Sequence, residues 1–165
     1  MTGNFCILIH YHEISLKGKN RNWFERCLIR NINKQLRGLP FSRVSLSAAR
    51  IFCFKIDESR WNEYAKRLKK VMGIKHATLM VQLNCEMELI QESAVSQLKG
   101  VEFCTFRVTT KRQFKGFSLS SHQVNEEVGK HLQSVYLKPV DLKNAEVDMV
   151  IELVKGMAYV GYQRV

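Results

Sequence analysis

The chain has 165 residues, of which 45% are hydrophobic, and only two prolines and nine glycines interrupt them. That composition excludes intrinsic disorder, and no run of about eighteen apolar residues exists to span a membrane as a helix. The formal net charge of +11, with 26 Lys and Arg against 15 Asp and Glu, favours polyanionic partners, nucleic acid before an anionic membrane surface.

In chain order, the opening MTGNFCILIHYHE has a short apolar stretch with no positive charge before it. It predicts a strand over Asn4–His10, apolar on both faces and therefore central in a sheet, rather than a signal peptide. The next stretch, YHEISLKGKNRNWFERCLIRNINKQLR, holds seven Lys or Arg against two Glu. Gly18 marks a turn and Asn20 an N-cap for a helix running to about Leu36. On that helix Phe24, Cys27, Leu28 and Leu36 share one side, and Arg26, Arg30, Asn33 and Arg37 the opposite one. Gly38 and Pro40 stop it. Strands follow near Arg43–Ser47 and Ile51–Ile56, then a helix over Ser59–Val71 rich in cations, with Gly73 as its stop. The order strand, helix, strand, strand, helix indicates a ferredoxin-like α+β unit.

A second α+β unit is predicted to begin near His76, the two meeting near residue 75. It reads as a strand at Thr78–Leu83, a helix at Glu86–Leu98 and an alternating strand at Phe103–Thr110. In the last, Cys104, Phe106 and Val108 face inward and Arg107 and Thr109 outward. The loop KRQFKGFSLSS leads to a helix over Ser121–Tyr136. Val147–Val154 and Met157–Tyr162 then form a hairpin around Lys155-Gly156.

Two segments invite a ligand. Lys17, Lys19, Asn20 and Arg21 crowd the start of a helix, whose partial positive charge repels cations and attracts an anion. A purely structural helix start favours Asp or Glu there, and the conflict marks a candidate phosphate site. Arg107–Lys115 (RVTTKRQFK) holds four cations and no acid around Phe114. The cations suit phosphate contacts, whereas Phe114 and Phe117 read as core packing rather than base stacking.

Catalytic patterns are missing: there is no G-K-S or G-K-T phosphate loop, no G-x-G-x-x-G and no G-x-S-x-G. His10, His12 and Glu13 lack a third ligand at sensible spacing, and His122 and His131 have no Cys or Asp three or four residues on. The five cysteines are scattered, with no C-x-x-C, which predicts a reducing compartment (the cytoplasm) with neither disulfides nor structural zinc. No catalytic residue, metal site or cofactor is expected in the chain itself.

Three segments carry a family resemblance. YHEISLKGKNRNWFERCL is similar to Y-G-E-x-x-x-K-G-x-N-R-x-x-F; FRVTTKRQFKGFSLSSHQVNEEVGKHL to the THUMP pattern F-x-V-x-x-x-R-x-x-K-x-F-x-x-x-S; and VDLKNAEVDMVIEL to V-D-L-x-x-P-x-x-x-x-x-E. Together they resemble the N-terminal half of the tRNA sulfurtransferase that makes 4-thiouridine, also called the thiamine biosynthesis sulfurtransferase. His12 replaces the usual Gly and Ala145 a common Pro. The resemblance implies an N-terminal ferredoxin-like domain at 1–75 and a THUMP domain at 76–165. It also implies binding of the tRNA acceptor stem and CCA end. The family's PP-loop motif S-G-G-x-D-S does not occur, so an ATP-dependent thiolation is implied only with a catalytic domain in cis or in trans. The expected RNA-binding residues are Lys17, Lys19, Asn20 and Arg21, with Lys111, Arg112 and Lys115 as a second contact beside Arg107. Arg26, Arg30 and Arg37 would supply long-range attraction. Homodimerisation stays open, and no membrane is involved. The rival expectation is a stand-alone ferredoxin-like regulatory or protein-interaction domain that binds no RNA.

Overall fold

A computed structural model describes residues 4–12, 20–114 and 116–165. They divide by compactness into one unit of Asn4–Met80 with Gln163–Val165 and another of Val81–Tyr162.

The first unit runs β1 (Phe5–Tyr11), α1 (Arg21–Gln35), β2 (Arg43–Ser47), β3 (Arg50–Phe54), α2 (Trp61–Leu68) and the first part of β4 (Ile74–Asn84). Its strand order β2-β3-β1-β4 is that of a ferredoxin-like fold. The central strand β1 pairs antiparallel with β3, Ile7 opposite Cys53 and Ile9 opposite Ile51. Ile7, Leu8 and Ile9 are all fully buried, as a continuous apolar run requires. Ile7, Ile9, Ile51 and Cys53 share a core with Leu28, Ile32 and Leu36 from α1 and its C-cap, and with Trp61, Tyr64 and Leu68 of α2. Gly38, at φ +94, turns the chain after α1. The last residues of the chain return to this unit, Val165 and Ala77 exchanging backbone hydrogen bonds at 2.9 and 3.1 Å.

The second helix is shorter than its sequence predicts. Asp57 accepts a hydrogen bond from the Ser59 amide, and Glu58–Arg60 form a 3₁₀ turn instead of α-helix. At the other end the amides of Lys70 and Val71 donate to Arg67 and Leu68, three residues back, so the helix tightens and ends before Gly73. Gly73 has φ +97, and a Cβ there would lie 2.9 Å from the Phe24 ring. It is a close-packed turn rather than the helix stop.

The second unit takes the rest of β4, then α3 (Met87–Leu98), β5 (Phe106–Arg112), α4 (Ser121–Tyr136), β6 (Val147–Val154) and β7 (Met157–Gly161). Its order is β4-β7-β6-β5, with β5 and β6 parallel and the other pairs antiparallel. A parallel pair needs a crossover, and α4 supplies it. Ile90, Ala94 and Leu98 of α3 and Val124, Val128 and Leu132 of α4 share a core with Phe106, Met149, Ile151, Leu153 and Val160 of the strands. Lys155 and Gly156 both have positive φ, the backbone of a two-residue hairpin turn. One expectation fails in this unit: Cys104 is exposed, not inward. The ladder begins only at Phe106, and the Cys104 amide donates to Glu146 Oε2 at 2.9 Å in the preceding loop.

Candidate nucleic-acid interface

Helix α1 divides its charges by burial. Arg21, Arg26, Arg30 and Lys34 are exposed, as is Arg37 just beyond its end. Its single acid, Glu25, is only 4% exposed. The solvent side of α1 therefore carries cations and amides with no acid among them. Arg26, Arg30, Lys34 and Arg37 make no ion pair among the described residues. At the C-terminal end Arg30, Asn33, Lys34, Arg37, Gly38 and Phe41 line an open groove of about 590 Å³. Arg67 does not join this face: its guanidinium donates to the carbonyls of Gln35 (3.2 Å) and Arg37 (2.7 Å), satisfying the helix end and tying α2 to it.

At the N-terminal end, Asn20 occupies the cap position and accepts the Phe24 amide through its carbonyl at 2.9 Å. Its side chain makes no cap bond, and the first turn contains no acid. Asn20 is exposed. Arg21 is held by Glu25, its Nε donating to Oε1 at 3.2 Å, while the Tyr11 hydroxyl donates to Oε2 at 3.0 Å. Burial, and then the hydrogen bond to Glu25, raise the Tyr11 pKa, so the phenol stays a donor. The hydrogen bond with Tyr11 and the charge of Glu25 likewise raise the pKa of Arg21. Tyr11, Glu25 and Arg21 thus link the end of β1 to the start of α1 and fix the guanidinium of Arg21 at the helix entrance. Sequence reasoning missed this link; the signal was Glu25 placed between Phe24 and Leu28 on the inward side. Lys17 and Lys19 lie outside the described residues.

In the second unit the basic segment is partly committed to structure. Arg107 bridges to Asp148 at 3.1 Å and donates to the Leu142 carbonyl at 3.0 Å. Asp148 also accepts from the Thr109 hydroxyl at 2.7 Å. Arg112 donates to the carbonyls of Phe114 (2.9 Å) and Leu119 (3.0 Å), curling the loop around its own guanidinium. Lys111 is exposed, and Lys115 lies outside the described residues. Phe114 and Phe117 are half-buried against the core, as expected. Gly116 is needed there because a Cβ would meet the Phe114 ring at 2.9 Å. The loop ends in a capping box, with Ser120 and Gln123 bonded reciprocally at 3.2 and 2.8 Å. In the V-D-L stretch Asp141 accepts the amides of Lys143 and Asn144, both at 3.0 Å. Those bonds, and then the charge of Arg107, lower its pKa.

The α1 cations thus belong to the first unit, and Arg107, Lys111 and Arg112 to the second. His10 lies against His76, ring centroids 4.5 Å apart, a pairing across 66 residues that no local pattern signals. His122 pairs with Glu126, an acid four residues on, at 2.9 Å. No group of three or more His, Cys, Asp or Glu positioned for a metal occurs among the described residues. No helix among them is long and apolar enough to cross a membrane.

Comparison with known proteins agrees with this architecture. Residues 6–78 match the ThiI ferredoxin-like domain and residues 86–162 the THUMP domain. A probable tRNA sulfurtransferase of Caldanaerobacter subterraneus is 36% identical over 159 residues, covering 94% of this chain and 41% of that protein. One from Listeria innocua is 30% identical, covering 90% of this chain and 38% of that protein. The chain spans about two-fifths of the length of such relatives. Among solved structures, PH1313 from Pyrococcus horikoshii superposes with a TM-score of 0.86 at 26% identity, over 98% of this chain and 55% of that one. A 4-thiouridine synthetase solved with RNA and ATP superposes at 0.82 and 23% identity, over 98% of this chain and 42% of that one, a likeness of fold. Fold, motifs and matched domains agree: the chain belongs to the ThiI ferredoxin-like and THUMP domain families, one domain following the other.

Proposed function

We propose that this chain is the tRNA-gripping part of a tRNA-thiolating enzyme. It would hold the acceptor stem and CCA end for a PP-loop catalytic domain, in cis or in trans, that activates and thiolates a uridine with ATP in the cytoplasm. The observation that carries the reading is the solvent face of α1, where Arg21, Arg26, Arg30 and Lys34 are exposed and the only acid of the helix is turned inward. Such a face gains by releasing counterions from a phosphate backbone; Arg21 is paired with Glu25, but Arg26, Arg30 and Lys34 have no ion-pair partner among the described residues. Lys17, Lys19 and Asn20 extend the contact at the helix entrance, and Arg37 extends it beyond the helix end. Arg107, Lys111, Arg112 and Lys115 form a second contact, in which Arg107 and Arg112 shape the surface beside the exposed Lys111. The similarity to tRNA sulfurtransferases supports a tRNA substrate, and the 4-thiouridine synthetase complex supports RNA as the ligand of this fold.

Filter binding of tRNA over a salt series tests the reading. Each phosphate contact contributes about 0.7–0.9 to the slope of log affinity against log salt. The pair Arg26→Ala, Arg30→Ala should therefore flatten the slope by about 1.5. Thermal stability should change little, because exposed charges contribute little to folding. No binding at low salt, or a slope that the double variant leaves unchanged, would refute the assignment of α1. A regulatory domain of the non-RNA kind would show a flat salt response throughout.

A further inference from the structure

We propose that Trp23 is a stacking platform for an unpaired RNA base, placed beside the cation row of α1; this rests on the RNA-binding reading above. The chain has two tryptophans. Trp61 is 7% exposed in the core, whereas Trp23 is 62% exposed on the first turn of α1. Packing does not need it, because the next residue, Phe24, contacts the core and closes on Gly73. Trp23, Arg26 and Arg30 follow at helical spacing on one side, so the indole lies one turn from one guanidinium and two turns from the next. That is the combination a single strand needs, cations for successive phosphates and an aromatic face for a base between them.

Charge selects this occupant over the alternatives. A second copy of the chain docking through this face would bring a second row of cations into the interface with no acid on the solvent side of α1 to pair them. A protein partner would have to bring the acids that the face lacks, whereas RNA supplies both the charge and the aromatic surface.

The test is tryptophan emission and affinity of the full chain with a short single-stranded oligoadenylate, a blunt RNA duplex and tRNA. Oligoadenylate and tRNA should quench the exposed indole. Trp23→Ala should weaken oligoadenylate binding by about five- to a hundred-fold and duplex binding by less than about two-fold, and Trp23→Phe should keep most of the affinity. In Trp23→Ala the remaining emission comes from buried Trp61 and reports that the fold is intact. Salt-steep RNA binding with no quenching, and with Trp23→Ala equal to the parent, overturns the stacking role and leaves the RNA-binding reading standing. Failure of all three RNAs to bind overturns both. An emission shift that follows protein concentration alone, or an acidic protein partner alone, assigns the indole to a protein contact and overturns the proposal too.

Discussion

Replacing Glu25 by Ala measures what holds the entrance of α1. The carboxylate is 4% exposed and receives the Tyr11 hydroxyl at 3.0 Å and the Arg21 Nε at 3.2 Å. Its loss leaves the Tyr11 hydroxyl, in a residue 5% exposed, without that acceptor, at a cost of about 1–3 kcal/mol. The Arg21 side chain is 47% exposed, so solvent screens its ion pair and losing that pair adds little. One buried methylene adds about 0.8 kcal/mol, and relief of the carboxylate's own desolvation offsets part of the sum. The expected destabilisation is about 2 kcal/mol, read from urea melts followed by far-ultraviolet circular dichroism. Tyr11→Phe should cost less, and the double variant should fall short of the sum of the singles by about 1 kcal/mol, since both remove one hydrogen bond. Glu25→Gln keeps an oxygen for Tyr11 and should cost clearly less than Glu25→Ala. A Glu25→Ala effect below about 0.5 kcal/mol, or strict additivity with Tyr11→Phe, would refute the argument.

Two further outcomes are expected. Gly73→Ala should destabilise by about 1–3 kcal/mol in the same melts, because φ is +97 and the new Cβ would meet the Phe24 ring; an unchanged midpoint would refute the close approach. Burial raises the thiol of Cys53 to about 12 and also raises that of Cys6, against about 8.5 for a free thiol. Folded-state values raised in this way give stability that is complete below about pH 8.5 and lost as pH rises toward 12. The expected slope approaches about 1.4 kcal/mol per pH unit for each thiol, and Cys53→Ala should make the loss between about pH 8.5 and 10 shallower by the share of one thiol, burial also raising Cys85.

The sequence was most legible where local chemistry decides the outcome. Ser120 with Gln123, and Lys155-Gly156, fix α4 and the β6–β7 hairpin through contacts within a few residues, and both elements start where expected. The opposed faces of α1 follow from the helical repeat, so Arg26, Arg30 and Arg37 could be placed on the solvent side at once. What escaped depended on contacts distant in sequence or on competing local bonds. Glu25 falls on the inward side of the helical repeat, but its partner Tyr11, 14 residues back, comes to it only through β1. Asp57 draws the Ser59 amide into a 3₁₀ turn that helical periodicity cannot reveal. The helical repeat already turns Phe24 inward, but the close approach of its ring to Gly73, 49 residues on, has no local signal.

The same distinction corrects how the net charge of +11 should be used. A count of basic residues treats Arg67, Arg107 and Arg112 as equal to Arg26 and Arg30. The structure spends Arg67 on two carbonyls at the end of α1, Arg107 on Asp148 and Leu142, and Arg112 on Phe114 and Leu119. Their charge persists, but part of each guanidinium is committed to these partners, so they contribute to the field more than to direct contacts. At the start of α1 the balance is reversed. The cap side chain makes no bond to the helix, the first turn has no acid, and Glu25, the one carboxylate of the helix, is directed inward to Tyr11 and Arg21. A helix begun in this way forgoes up to about 1 kcal/mol per missing favourable charge. It is maintained instead by Leu28, Ile32 and Leu36, none more than 2% exposed. Packing on one side of α1 thus permits an electrostatically unfavourable arrangement on the other, a disadvantage that a bound polyanion would offset under the function proposed above.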